Sequence, residues 1–181
     1  YYSGCLNDKT AMDAYFLYER TDGKHGIIAI ETKYTDILGT NPASNPSFAI
    51  RQATENIGIS QLLTDEGIAG ITKRDIKLSQ VYRNFLLTET VRLHEHLDDS
   101  ISIILSPKEN ISNEEDESSL RSILKDEYKY KFQSVTLENF VSALIREFPD
   151  IDIFRGFEKR YLDFERVEKL INRAGIHENS K

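Results

Sequence analysis

The sequence predicts an α/β fold built on a mixed sheet, and three observations carry that expectation. Segments 11–20 and 27–35 read as strands, joined by Thr21-Asp22-Gly23-Lys24-His25-Gly26, whose Asp-Gly pair is a strong hairpin signal. At Lys77–Leu97 the residues Leu78, Val81, Tyr82, Phe85, Leu86 and Leu93 recur at helical spacing. After this helix comes Ile101–Leu105, a short apolar run bounded by Ser100 and Ser106-Pro107, which reads as a buried strand. The order β-β-α-β, followed by α, β and α, is an α/β arrangement.

The remaining elements are placed by local signals. An edge strand is compatible with Tyr1–Leu6. Residues 36–76 show no strong periodicity; Asn41-Pro42 and Asn45-Pro46 mark turns, and Ser47–Leu63 suits a helix interrupted near Gly58. Residues 107–119 read as an acidic, mobile loop because they are almost wholly polar. A helix is expected over Leu120–Tyr128 and a strand over Phe132–Val135. Thr136 then caps a helix running to about Glu147, with Glu138 and Asn139 in its first turn. A last helix is expected over about Ile153–Arg173, ending at Gly175.

Composition bounds the function. At 181 residues the chain suits one domain, with a core at about 11–106 and a C-terminal helical extension at about 107–181. Its 39% hydrophobic and 29% charged residues are those of an ordinary globular protein, and no apolar run approaches a membrane span. The single Cys5 excludes an internal disulfide and suits a reducing, cytoplasmic setting. A net charge of −7 argues against a broadly basic nucleic-acid coat but leaves room for a local basic cleft. The chain opens Tyr1-Tyr2-Ser3 without Met, as expected of a piece whose upstream elements are missing. No P-loop or dinucleotide glycine motif is present.

The stretch that stands out is Ile27-Ile28-Ala29-Ile30-Glu31-Thr32-Lys33. Acid-x-Lys occurs four times in the chain, but only Glu31/Lys33 is led in by an apolar strand with another acid, Asp13, on the strand before it. Side chains alternate across a strand, so Glu31 and Lys33 share a face. A turn centred on Gly23 puts Asp13 opposite Lys33 and Tyr15 opposite Glu31. Met12, Ala14, Phe16 and Tyr18 then share the apolar face with Ile28 and Ile30, while Asp13, Glu31 and Lys33 gather on the other. The apolar pattern favours an odd-length loop, because a one-residue slip would exchange the faces. On this reading the patch is open to solvent, and losing Lys33 or Glu31 exposes no core. Two carboxylates offer hard oxygen ligands for Mg²⁺, and an ammonium beside them can orient water and stabilise developing charge.

Asp13, a turn, and Ile28-Ala29-Ile30-Glu31-Thr32-Lys33 resemble the PD-(D/E)XK nuclease superfamily, with its restriction-endonuclease-like fold. The resemblance covers about residues 11–106, with Met12 standing where the motif has Pro. It implies a mixed central sheet flanked by helices, with Asp13 and Glu31 as metal ligands, the Thr32 carbonyl as a further ligand and Lys33 as the catalytic lysine. The helix after the motif contributes polar residues in this superfamily; Gln80 and Arg83 match, with Asn84 beside them. The expected protein is a Mg²⁺-dependent nuclease, with Mn²⁺ able to stand in, acting on DNA in restriction, defence or repair. No membrane partner is expected, and a homodimer is compatible with this reading. The alternatives are a catalytically silent nucleic-acid-binding or protein-interaction module on the same fold, or an α/β scaffold whose charges solubilise an edge.

Overall fold

The computed structural model describes Leu6 and residues 11–34, 48–73, 80–110, 114–164, 166 and 168–169. Its elements are β1 (Ala14–Glu19), β2 (His25–Thr32), α1 (Phe48–Glu55), α2 (Ile57–Ser60), α3 (Asp65–Lys73), α4 (Gln80–His94) and β3 (Asp99–Ser106). They are followed by α5 (Glu114–Ile123), a 3₁₀ segment (Asp126–Lys131), β4 (Phe132–Thr136), α6 (Leu137–Glu147), α7 (Asp152–Phe157) and a π-helical turn (Glu158–Leu162). The sheet runs in the order β1-β2-β3-β4. β1 and β2 are antiparallel, and β2 and β3 are parallel, so the sheet is mixed. Residues Tyr1–Val135 and Thr136–Lys181 form two compact units.

The hairpin turn decides the register. Arg20 N–H donates to the Lys24 carbonyl at 2.7 Å and Gly23 N–H to the Arg20 carbonyl at 2.9 Å, so Thr21-Asp22-Gly23 form a three-residue loop. Gly23 has φ +81°, the left-handed conformation that such loops place at their last residue. The loop is odd in length but centred on Asp22, one residue earlier than expected. Tyr15 therefore pairs with Ala29, and Ala14 with Ile30, so the sequence-based pairing of Tyr15 with Glu31 and Asp13 with Lys33 is off by two. A slip of two preserves which side chains share a face.

α4 lies across β2 and β3. Val81, Tyr82, Asn84, Phe85, Leu86, Leu87, Thr88, Glu89 and Val91 are all buried, so the helix is covered on nearly every side, not along one stripe. It packs on the sheet face that carries Ile27, Ala29 and Glu31, with Ser100, Ser102 and Ile104 beside them on β3. On the opposite face Ile28, Ile101 and Ile103 are half-buried, while Ile30 and Leu105 are buried. The more apolar face of the hairpin is thus not its deeper one.

Two further differences have local causes. Residues 114–117 are the first turn of α5, where four carboxylates meet the helix's unpaired N–H groups; the charge run expected as a loop reads better as a helix start. α5 accordingly ends at Ile123, short of the expected Tyr128. α3 follows Thr64, whose hydroxyl accepts from Gly67 N–H at 3.0 Å, with Asp65 and Glu66 in the first turn. The break between α1 and α2 falls at Asn56, whose side chain caps Gly58 N–H at 2.9 Å, two residues before the expected interruption. In the second unit Thr136 caps α6 through Asn139 N–H at 3.2 Å. Of the expected Tyr1–Leu6 strand only Leu6 is described, outside any strand; residues 1–5, the turns at 41–46, the start of the long helix at 77–79 and the terminus at Gly175 lie outside the described residues.

Candidate active site

Glu31 leaves the C-terminal end of β2 on the α4 side and is 5% exposed. Lys33, two residues on, returns to the same side and places its Nζ 2.7 Å from Glu31 Oε1. The first residue of α4, Gln80, donates through Nε2 to the same oxygen at 2.7 Å. Asp13 precedes β1 and is exposed; its Oδ2 accepts the Thr32 N–H at 2.8 Å, so a side chain continues the hairpin ladder where the main-chain pairing stops. In a strand a residue's N–H and C=O point to the same side, which directs the Thr32 carbonyl toward the Asp13 flank. Lys33 N–H bonds the Leu105 carbonyl at 2.8 Å, tying the end of β2 to β3. The site therefore runs from a solvated carboxylate at the strand edge to a second one at the margin of the core. It is not the open patch that the hairpin parity suggested, because α4 covers the charged face.

Burial pushes the Glu31 carboxyl above its ordinary range; the hydrogen bond and charge of Lys33 act against this, and the nearby charge of Asp13 adds to it. A carboxyl whose charge is disfavoured by burial and by a neighbouring carboxylate is a setting that a cation relieves.

Asn84, one turn beyond Gln80, is 3% exposed and borders the same narrow gap as Met12, Ala29, Glu31 and Ser102. Neither its amide oxygen nor its amide nitrogen completes a hydrogen bond among the described residues, although the side chain is near enough to Glu31 to favour its charged form. Sequence reasoning noted Asn84 beside Gln80 without assigning it a role; the signal was its i, i+4 spacing from Gln80. Arg83 is half-buried on α4 and, unlike Gln80, is not among the groups described as bonding Glu31.

No three His, Cys, Asp or Glu side chains converge on one point among the described residues. Mg²⁺ keeps several waters and takes one or two protein carboxylates, so the oxygens of Asp13 and Glu31, with the Thr32 carbonyl, are a donor set that suits it. The unpaired Asn84 amide beside Glu31 is a polar reserve of the kind such a centre uses.

A second charged cluster occupies the other end of the sheet. Lys131, 5% exposed, reaches Asp99 Oδ1 at 2.9 Å, Ser100 Oγ at 3.0 Å and Glu89 Oε1 at 3.6 Å. Glu89 also holds Arg92 Nε at 2.7 Å and accepts the Ser100 hydroxyl. Every charge in it has an opposite partner, which marks it as structural.

Among the described residues no helix is long and apolar enough to cross a membrane. Neither the curated proteins nor the solved structures contain a significant match to the chain. The family model described as PD-(D/E)XK nuclease superfamily matches residues 2–163, spanning the hairpin, α4 and β3 that build the site. With that match over most of its length, and a mixed four-stranded sheet flanked by helices, the chain belongs to the PD-(D/E)XK nuclease superfamily.

Proposed function

We propose that this chain is a Mg²⁺-dependent nuclease that hydrolyses phosphodiester bonds of DNA. The observation that carries the reading is the convergence of Glu31, Lys33 and Gln80 at the end of β2, with Asp13 on its flank. Asp13, Glu31 and the Thr32 carbonyl would hold the cation, which when bound lowers the pKa of a water and neutralises charge on the phosphate. Lys33, once detached from Glu31, directs its ammonium at the attacking water and at the charge that grows on the phosphoryl oxygens. The new bond joins the water oxygen to phosphorus as the water gives up a proton to solvent; the ester P–O bond on the far side breaks, and the leaving oxygen takes up a proton from solvent. Gln80 keeps Glu31 in place while Lys33 moves. Arg83, on the same helix, is the cation we assign to a phosphate neighbouring the scissile one. A restriction, defence or repair role in the cytoplasm accords with this chemistry, and Mn²⁺ substitutes for Mg²⁺.

The test is incubation of the protein with single- and double-stranded DNA and RNA in Mg²⁺, beside calorimetric Mg²⁺ titration. We expect cleavage of DNA by the wild type, and a loss on the order of 10²–10³ in rate for Lys33→Ala with cation binding largely kept. Glu31→Ala loses binding and cleavage together. Cleavage by Lys33→Ala at the wild-type rate refutes the role of the lysine. Failure of the wild type to bind a divalent cation or to cut refutes the enzyme reading and leaves a silent nucleic-acid-binding module.

A further inference from the structure

Native interiors seldom keep an unsatisfied amide, because burying a donor and an acceptor without partners is costly. Asn84 is such an amide. Gln80 and Asn84 stand at i and i+4 on α4 and so lie on one face of the helix. Gln80 already bonds Glu31 Oε1, and Asn84 faces the same carboxylate across the gap they share. The contacts of Lys33 and Gln80 with Glu31 both fall on Oε1, and the Asn84 side chain lies near enough to favour the carboxylate's charge without completing a hydrogen bond.

We propose that Asn84 is a positioning residue for Glu31, the hydrogen-bond donor that takes up the carboxylate when Lys33 leaves it. The proposal rests on the reading of Glu31 as a cation ligand and of Lys33 as the group that turns to water and phosphate. A divalent cation taken up by Glu31 repels the ammonium from Oε1 and turns it to water and phosphate. A carboxylate at the margin of the core needs a replacement donor at that moment. Asn84 Nδ2, which borders the same gap, is the donor at hand. A donor that is buried, short and fixed to a helix holds an acidic ligand in one orientation, and outer partners of this kind are worth about 10–100-fold in metal affinity.

The variant Asn84→Leu replaces two unpaired polar atoms by apolar ones of similar size. We expect the melting temperature of the metal-free protein to rise while affinity for Mg²⁺ or Mn²⁺, read by calorimetry, falls about 10–100-fold. A merely structural amide gives the opposite pair, a lower melting temperature with unchanged affinity, and that result overturns the proposal. Where Leu crowds the gap, Asn84→Ala serves; it must weaken cation binding about tenfold or more, and unchanged affinity again refutes the idea. A third measurement needs no cation. In Lys33→Met the Asn84 side-chain NH₂ resonance, followed by ¹⁵N–¹H NMR, moves downfield as the amide engages Glu31, and the shift disappears in Lys33→Met/Glu31→Gln. A resonance that stays where it is overturns the proposal. If the wild type binds no divalent cation, the cation-site reading fails, and the NMR result decides the role of Asn84 by itself.

Discussion

Replacing Lys33 by Met is the sharpest probe of the site, because the structure makes it a stability experiment as well as an activity one. The ammonium lies 2.7 Å from Glu31 Oε1, and the two side chains are 11% and 6% exposed. Met keeps the apolar stem and removes only the charge, which leaves a carboxylate at the core margin with Gln80 on the same oxygen. Losing one partner of a buried pair costs about 3–5 kcal/mol when the other stays charged. Glu31 has an escape, since it can take up a proton. At pH 7 protonating a carboxyl of ordinary pKa costs about 3 kcal/mol, at about 1.4 kcal/mol per pH unit, and this caps the penalty. The sign follows from proton counting. The variant's native state then binds a proton that its unfolded state lacks, so its stability falls as pH rises above the ordinary carboxyl range and recovers as pH is lowered. For a chain of this size the deficit corresponds to a drop of about 6–12 °C in melting temperature at pH 7, falling to about 3–6 °C at pH 6. Glu31→Gln tests the asymmetry: Lys33, nearer the surface, turns its ammonium to water, and the loss stays within about 1 kcal/mol. Scanning calorimetry of the metal-free proteins at both pH values reads all of this. A Lys33→Met melting temperature within a degree of wild type at pH 7 would show that Glu31 is solvated, and the reasoning fails.

Two further outcomes follow from the packing. Lys131→Met takes from Asp99 its cation and leaves Glu89 with Arg92 alone, and is expected to cost about 3–5 kcal/mol in denaturant unfolding at pH 7. Burial raises the Asp99 carboxyl, but the hydrogen bond and charge of Lys131, with the Ser100 N–H, outweigh it and hold it below its ordinary 3.8. Its contribution is therefore present above that value and lost as pH falls through the depressed one, so the difference between wild type and Lys131→Met narrows in acid. Gly67→Ala places a methyl 2.8 Å from Ile123 Cβ and 3.1 Å from the Ile123 carbonyl oxygen, forcing α3 and α5 apart. Thermal melting is expected to show a loss of about 1–3 kcal/mol.

How much of this was legible in the sequence depends on what each residue's environment adds to its type. Strand alternation alone brings Glu31 and Lys33 to one side, and helical spacing brings Gln80 to the neighbouring element; both are local rules. The register was not legible, because Asp22-Gly23 is compatible with loops of two or three residues, and the left-handed φ of Gly23 at the last loop position selects between registers. Which hairpin face receives α4 was also hidden. Isoleucines at 28 and 30 argue for the even-numbered face, whereas the helix lies on Ile27, Ala29 and Glu31, where the serines of β3 let it approach closely. The acidic run at 114–117 misled because charge density was read as solvation, while four acids in a row are also what the first turn of a helix tolerates best. Thr64-Asp65-Glu66 carried the start of α3 in plain view.

The two charged clusters belong to one geometry, which explains why α4 is buried nearly all round and still keeps Gln80, Asn84 and Glu89. Gln80 bonds Glu31 at the C-terminal end of β2, and Glu89 bonds the Ser100 hydroxyl at the N-terminal end of β3, so the helix runs against the direction of both strands. From Gln80 to Glu89 the helix rises about 13 Å at about 1.5 Å per residue. Glu31 is level with Ile104, and Ile27 with Ser100, so the two anchor points on the sheet are also about 13 Å apart at about 3.3 Å per residue. The spans match. Apolar contacts between Val81, Phe85 or Leu86 and the sheet are non-directional and tolerate sliding. A slip of one helical turn, about 5.4 Å, would break both polar anchors at once and leave buried charges unpaired. The structural cluster of Lys131, Asp99, Glu89 and Arg92 thus does at a distance what Gln80 does by contact. It fixes the register of α4, and with it the position of the amides that face Glu31.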